Sequence, residues 1–211
     1  MSNPDRRDSP LARFAAEANG QTRLEGPRVR LSERPFRGHF NLRGDPDDAA
    51  FLKAVESVLG FGLPLTPNTV SEGAGLVALW LGPDEWLVVT QPDGESTIAV
   101  ALEDALGDTL NSVTDLTGGQ TVIGISGPRA RDVLAKGCTL DLHPRAFGPG
   151  QCAQTLLAKA AVTIRQVDES PSFDLIVRRS FADYLGVWLQ DAALEYGLAV
   201  VPETVNSPIQ Q

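Results

Sequence analysis

The chain has 211 residues, 42% of them hydrophobic, and 27 acidic residues against 18 basic ones leave a formal net charge of −9. That is enough apolar material for one domain or two small ones, while the acidic balance excludes a nucleic-acid-binding surface, which draws on clustered positive charge. No run approaches the roughly 18 apolar residues of a membrane span, the longest being residues 76–81, and residues 1–10 lack the apolar core of a signal peptide, so a cytoplasmic protein with no membrane contact is expected.

Residues 1–27 are rich in charge, proline and glycine and read as an arm, in which Ser9-Pro10 starts a short helix with Leu11, Phe14, Ala15 and Ala18 on one face. That face calls for a partner, either the body of this chain or another chain. Residues 36–43 then alternate, with Phe36, Gly38, Phe40 and Leu42 on one side and Arg37, His39, Asn41 and Arg43 on the other, which predicts a half-buried strand. Asp45-Pro46 is placed to cap a helix whose Phe51, Leu52, Val55, Val58 and Leu59 share a stripe and which Gly60 ends. Residues 62–75, with Pro64 and Pro67, read as a loop. Residues 76–81 and 86–90 form a hairpin across Gly82-Pro83-Asp84-Glu85. Ser96 or Thr97 opens a helix bearing Ile98, Ala101, Leu102, Ala105 and Leu106, closed by Gly107, and a strand follows at 110–116.

The order β-α-β-β-α-β is that of the split βαβ, or ferredoxin-like, unit, one sheet with two helices on a single face. A second, imperfect copy follows. The glycines of Thr117-Gly118-Gly119 permit a tight connection into a strand at 120–126, and Ser126-Gly127-Pro128 starts a helix with Ala130, Val133 and Leu134 inward and Gly137 as its stop. Strands at 154–158, 162–167 and 173–178 precede a last helix at 181–196, with Ser180 and Asp183 as a capping box and Phe181, Leu185, Trp188, Leu189 and Ala192 as the buried stripe. The expected fold is α+β, two tandem split-βαβ units at 28–117 and 118–202, between the arm and a tail at 203–211.

The run Asp115-Leu116-Thr117, a short gap, an alternating strand and then Ser126-Gly127-Pro128-Arg129-Ala130 with its helix resembles the signature of aminomethyltransferase-type folate-binding domains, which read Asp-[Val/Leu]-Ser, strand, Gly-Pro-Asp-Ala. Residues 80–89, Trp-Leu-Gly-Pro-Asp-Glu-Trp-Leu-Val-Val, resemble a hairpin of the same superfamily. Together with His39-Phe40-Asn41-Leu42-Arg43-Gly44, the pattern over residues 28–200 is most similar to the gamma subunits of heterotetrameric sarcosine oxidases. In the transferases the signature lies near the start of the domain, whereas here it lies past the midpoint. Only Asp115 is therefore carried across by position.

That resemblance implies a non-catalytic chain with an assembly role in an oxidoreductase complex of sarcosine catabolism and one-carbon metabolism. Such a complex oxidatively demethylates sarcosine to glycine, forming hydrogen peroxide and, with tetrahydrofolate, methylenetetrahydrofolate. The resemblance also implies alpha, beta and delta partner subunits, principally alpha. It puts FAD, FMN, NAD and tetrahydrofolate in the larger chains and zinc in delta, with no cofactor in this chain. A free-standing folate-binding one-carbon transferase or regulator is the alternative.

The residues themselves offer little chemistry. His39 and His143 are the two histidines, and Cys138 and Cys152 have neither a C-x-x-C spacing nor paired histidines, so no catalytic residue and no metal site is assigned. Gly73-Ala74-Gly75-Leu76-Val77-Ala78 has the letters of a dinucleotide fingerprint, yet it precedes a strand, whereas pyrophosphate binding needs the glycines after a strand and at the head of a helix. Four interface candidates remain. Arg37, His39 and Arg43 form a cationic strip facing folate's glutamyl tail, acidic residues of a neighbouring subunit, or solvent and intramolecular partners. Phe14 on the arm is the fourth. Asp115 is a folate-type ligand candidate or the cap of its own turn.

Overall fold

The computed structural model describes residues 8–12 and 26–201. Phe14, most of the arm and the tail at 203–211 lie outside the described residues. Within residues 26–201 the elements are eleven strands, four α-helices and a short 3-10 turn at Leu194–Tyr196: β1 (Val29–Arg34), β2 (Arg37–Gly44), α1 (Ala49–Leu59), β3 (Val70–Gly73), β4 (Leu76–Gly82), β5 (Glu85–Pro92), α2 (Glu95–Leu106), β6 (Asn111–Asp115), β7 (Gln120–Ser126), α3 (Ala130–Ala135), β8 (Cys152–Leu157), β9 (Ala160–Asp168), β10 (Ser172–Arg178), α4 (Arg179–Ala193) and β11 (Leu198–Val200).

They build two sheets, one with the order β3-β4-β5-β2-β6 and one with the order β11-β1-β7-β10-β9-β8. In the first, β2 lies antiparallel between β5 and β6, and β5 pairs with β4, which is the ferredoxin-like arrangement expected for that stretch. Phe40, Leu42, Trp86 and Val88 from one face of this sheet bury against Phe51, Val55 and Leu59 of α1 and Leu102 and Leu106 of α2. The alternate residues Leu87 and Val89 face the other sheet, with Leu79, and meet Val122, Cys152 and Ile176. The far side of the six-stranded sheet packs Ile123, Ile125, Phe173 and Leu175 against Leu134 of α3 and Leu185 and Leu189 of α4. The molecule is thus four layers, helices outside and two sheets inside, and the central strands β5 and β10 are buried on both faces because both faces are covered, with Asp174 as a buried charge on the inner face of β10.

Strand β1 departs from the expected division of the chain. Val29–Arg34, counted with the first unit, pairs antiparallel with β7 and so belongs to the second sheet. There it takes the place that the last strand of a ferredoxin-like unit would occupy, and β11 is left to pair parallel with it at the edge. The chain crosses between sheets twice, at Pro35-Phe36 and again at residues 116–119, so β6 and β7 are not a hairpin. The first crossing puts Phe36 at φ +61°, in the left-handed region, and the strand expected from Phe36 begins one residue later.

Local departures have local causes. Asp45 accepts the N–H of Asp47 in a turn of its own, and the helix cap passes to Asp48, whose side chain accepts from Ala50 N at 2.8 Å. Residues 70–73, inside the expected loop, form β3, a four-residue strand defined by its pairing with β4. In the last helix Arg178 stands at the N-cap with no side-chain cap bond, so Ser180 and Asp183 form no capping box. Phe181 points out at 42% exposure while Ala182 and Gly186 take the buried face. Gly44 is required by close approach, since a Cβ there would lie 2.3 Å from the Phe51 ring.

Candidate functional site

Strand β2 is a central strand of the five-stranded sheet, and its register decides what the expected cationic strip becomes. His39 pairs with Val89, on the face turned toward the second sheet, and is fully buried at 0% exposure. Among the described residues neither of its ring nitrogens has a hydrogen-bond partner. Burial pushes its pKa down to about 4 against an ordinary 6.5, with Arg37's charge acting the same way and the Arg37 backbone and Asp115 opposing. His39 is therefore a neutral interior group at pH 7, and the strip expectation is corrected at this position: a side chain between two sheets meets neither ligand nor neighbouring subunit. Arg43 is exposed and donates to both carboxylate oxygens of Asp84, at 2.9 and 3.0 Å, with Glu85 3.9 Å away. Those charges hold its pKa above the ordinary value, the Asp84 hydrogen bond foremost. Arg37, two residues before His39, is half-buried.

Asp115 ends β6 at the edge of the same sheet and is exposed. Its Oδ1 accepts the N–H of Thr117 at 2.7 Å, capping the turn that carries the chain into the second sheet. The Thr117 hydroxyl accepts the N–H of His39 at 3.1 Å, and Leu116 N donates to the His39 carbonyl at 2.8 Å. The Asp-Leu-Thr signature is thus used on the spot to join two sheets. A depression of about 450 Å³ opens at the opposite end of β6, lined by Arg43, Asp45, Asp84 and Leu110 among others, and Asp115 does not line it. These residues do not fit a folate site centred on Asp115.

The most developed polar constellation was not singled out from the sequence. Arg165 of β9 and Asp174 of β10, 7% and 4% exposed, meet at 2.9 Å inside the six-stranded sheet. Arg165 Nη1 also reaches Glu72 of β3 at 2.7 Å, and Arg34 of β1 lies 3.2 Å from the other oxygen of Asp174. Burial by itself would lower the Arg165 pKa, but Asp174 and Glu72 outweigh it and raise it. The cluster ties β1, β9 and β10 of one sheet to β3 of the other. Its signal was present as charged residues set between apolar ones, Arg165 (with Gln166) between Ile164 and Val167 and Asp174 between Phe173 and Leu175.

The nucleophiles are similarly engaged. Burial pushes the Cys152 thiol up to about 11, and its Sγ faces the carbonyls of Thr69 and Trp80. Cys138 Sγ lies 3.9 Å from the Thr155 hydroxyl, and His143 Nδ1 accepts the N–H of Arg145. Among the described residues no group of three or more His, Cys, Asp and Glu side chains is arranged to hold a metal ion, and no helix is long and apolar enough to cross a membrane.

Comparison with known proteins agrees with the architecture. A family model described as the sarcosine oxidase, gamma subunit family matches residues 43–195. The chain belongs to this family. A sarcosine oxidase subunit gamma from Corynebacterium sp. (strain P-1) is 39% identical over 186 residues, covering 88% of this chain and 89% of that one. Among solved structures, a chain of the heterotetrameric sarcosine oxidase from Corynebacterium sp. U-96, in complex with pyrrole 2-carboxylate, superposes with a TM-score of 0.82 at 34% identity, covering 92% of this chain and 98% of that one. Aminomethyltransferase T of the glycine cleavage system from Bartonella henselae shares the fold, with a TM-score of 0.65 at 16% identity, covering 91% of this chain and 58% of that one. The family is thus the one whose motifs the sequence resembles, and the transferase-like fold is present.

Proposed function

We propose that this chain is the gamma subunit of a heterotetrameric sarcosine oxidase and acts in its assembly, with no catalytic residue of its own. The observation that carries the reading is likeness over nearly the whole length: relatives named as sarcosine oxidase gamma subunits are matched over 88% to 92% of this chain. The interior supports it, because buried Arg165 and Asp174 pair with each other, the Cys152 thiol faces backbone carbonyls, the His143 ring accepts the Arg145 N–H and His39 is sealed between the sheets. Its partners are then the alpha, beta and delta subunits, principally alpha, in the cytoplasm. By the family resemblance, FAD, FMN, NAD and tetrahydrofolate belong to the larger chains and zinc to delta. The complex oxidatively demethylates sarcosine to glycine, with hydrogen peroxide and methylenetetrahydrofolate as further products.

Co-expression with the neighbouring genes, followed by affinity purification on this chain, tests the reading. Recovery of large flavoprotein chains in a stable complex, and no heat of binding when the lone chain is titrated with tetrahydrofolate, is the expected result. A complex that keeps full stability and folate-coupled turnover without this chain would refute the assembly role. Saturable tetrahydrofolate binding by the lone chain, weakened in Asp115→Asn, would favour the free-standing folate protein instead.

A further inference from the structure

The two sheets have four edge strands, and the chain treats one of them differently from the others. Edges β3 and β8 are clasped together, Val70 N donating to Gly150 O and Cys152 N to Asn68 O, both at 2.9 Å. The far end of β8 is covered too, by Gly137 O accepting from Ala158 N at 2.9 Å. Edge β11 is three residues long. Edge β6 runs for five residues, Asn-Ser-Val-Thr-Asp, with no proline, no bulge and no lysine, the usual devices that keep an edge from pairing.

Leu116 N bonds back to His39 O, so the alternation of an antiparallel ladder turns the N–H groups of Ser112 and Thr114 toward β2 and those of Asn111, Val113 and Asp115 outward. No described strand pairs with that outward row. At the head of the strand Leu110 stands 88% exposed beside the depression of about 450 Å³. The exposed charges at the two ends of the strand are acidic, Asp45 in the depression and Asp108 two residues before Leu110 at its head and Asp115 at its foot, and the one arginine lining the depression, Arg43, is already bonded to Asp84.

We infer that β6 is a docking edge on which a β-strand of another subunit of the complex adds in register, with basic side chains at its ends and an apolar one set against Leu110. Backbone complementarity supplies the pairing, and the acidic surround selects a cationic partner strand. A second copy of this chain is disfavoured, because an edge-to-edge dimer would bring Asp108 and Asp115 of two molecules, each of net charge −9, to one seam. The inference rests on the assembly role proposed above.

Hydrogen exchange of the full chain, alone and in the co-purified complex, tests it together with two variants. Asn111→Pro removes an outward N–H at the first residue of the strand, where proline is tolerated, and Leu110→Glu alters a side chain already in solvent. The amides of Val113 and Asp115 are expected to exchange at least about tenfold more slowly in the complex. Both variants should melt like the parent chain alone yet associate at least about tenfold more weakly. Equal exchange in the lone and assembled chain, with both variants assembling normally, overturns the docking edge and leaves the assembly role standing. Protection that grows with the concentration of the lone chain identifies a second copy and overturns the partner. A chain that co-purifies with no other subunit overturns both readings.

Discussion

Acid sensitivity set by one buried histidine is the sharpest consequence of the sandwich. His39 is neutral in the folded protein, with a pKa of about 4, and regains its ordinary 6.5 when the chain unfolds. Above 6.5 the group is neutral in both states and folding is indifferent to pH. As pH falls below 6.5 the unfolded state takes up a proton that the folded state refuses, so stability drops by about 1.4 kcal/mol per pH unit until the folded pKa is reached. The loss is about 2 kcal/mol by pH 5 and approaches roughly 3 kcal/mol near pH 4. Urea melts followed by tryptophan fluorescence, at pH 7.5 and pH 5, measure it directly. His39→Leu replaces the ring with an apolar side chain that Val89 and its neighbours can accept, and it deletes the titration. Subtracting the variant's change from the parent's cancels every other titrating group. Equal losses of stability in the two proteins between these pH values would refute a depressed His39 pKa in the folded state.

Three further outcomes follow from single contacts. Asp174→Asn keeps an acceptor but removes the buried negative charge that Arg165 and Arg34 share, leaving Arg165 the charge of Glu72 alone, so a loss of about 3 kcal/mol is expected in the same melts. Asp48→Ala removes the side-chain cap on Ala50 N and should cost about 1 kcal/mol, with helix content by circular dichroism otherwise unchanged at low temperature. Gly44→Ala forces the buried Phe51 ring to move and should cost roughly 1–3 kcal/mol, whereas Gly62→Ala, where a Cβ meets nothing within 4 Å, should leave the melting midpoint in place.

The register of β2 explains why the candidate site read well in part and badly in part. Alternation in Phe36 to Arg43 identified a strand with two faces, and one face did bury Phe40 and Leu42 under the helices. The same alternation implied that the other face was wet. It is exposed at Arg43, half-buried at Arg37 and Asn41 and sealed at His39, because the second sheet closes over it, and periodicity within one strand carries no information about a sheet assembled from distant segments. Asp115 behaved oppositely. A carboxylate two residues before the next N–H is a local geometry, and the turn-cap reading of it needed nothing from elsewhere in the chain.

Sequence alone determined what depends on neighbours a few residues apart: the helical stripes of α1 and α2, the β4–β5 hairpin across Gly82 and Pro83, the β-α-β-β-α-β order, and motifs specific enough to point to the family. Tertiary structure decided what depends on distant segments. It moved β1 into the second sheet, made a strand of residues 70–73, joined Arg34, Glu72, Arg165 and Asp174, and sealed His39 between layers. The physical reason is that hydrogen bonds between strands and the burial of a sheet's second face are satisfied by whichever segment arrives there, and that choice is made by the packing of the whole chain.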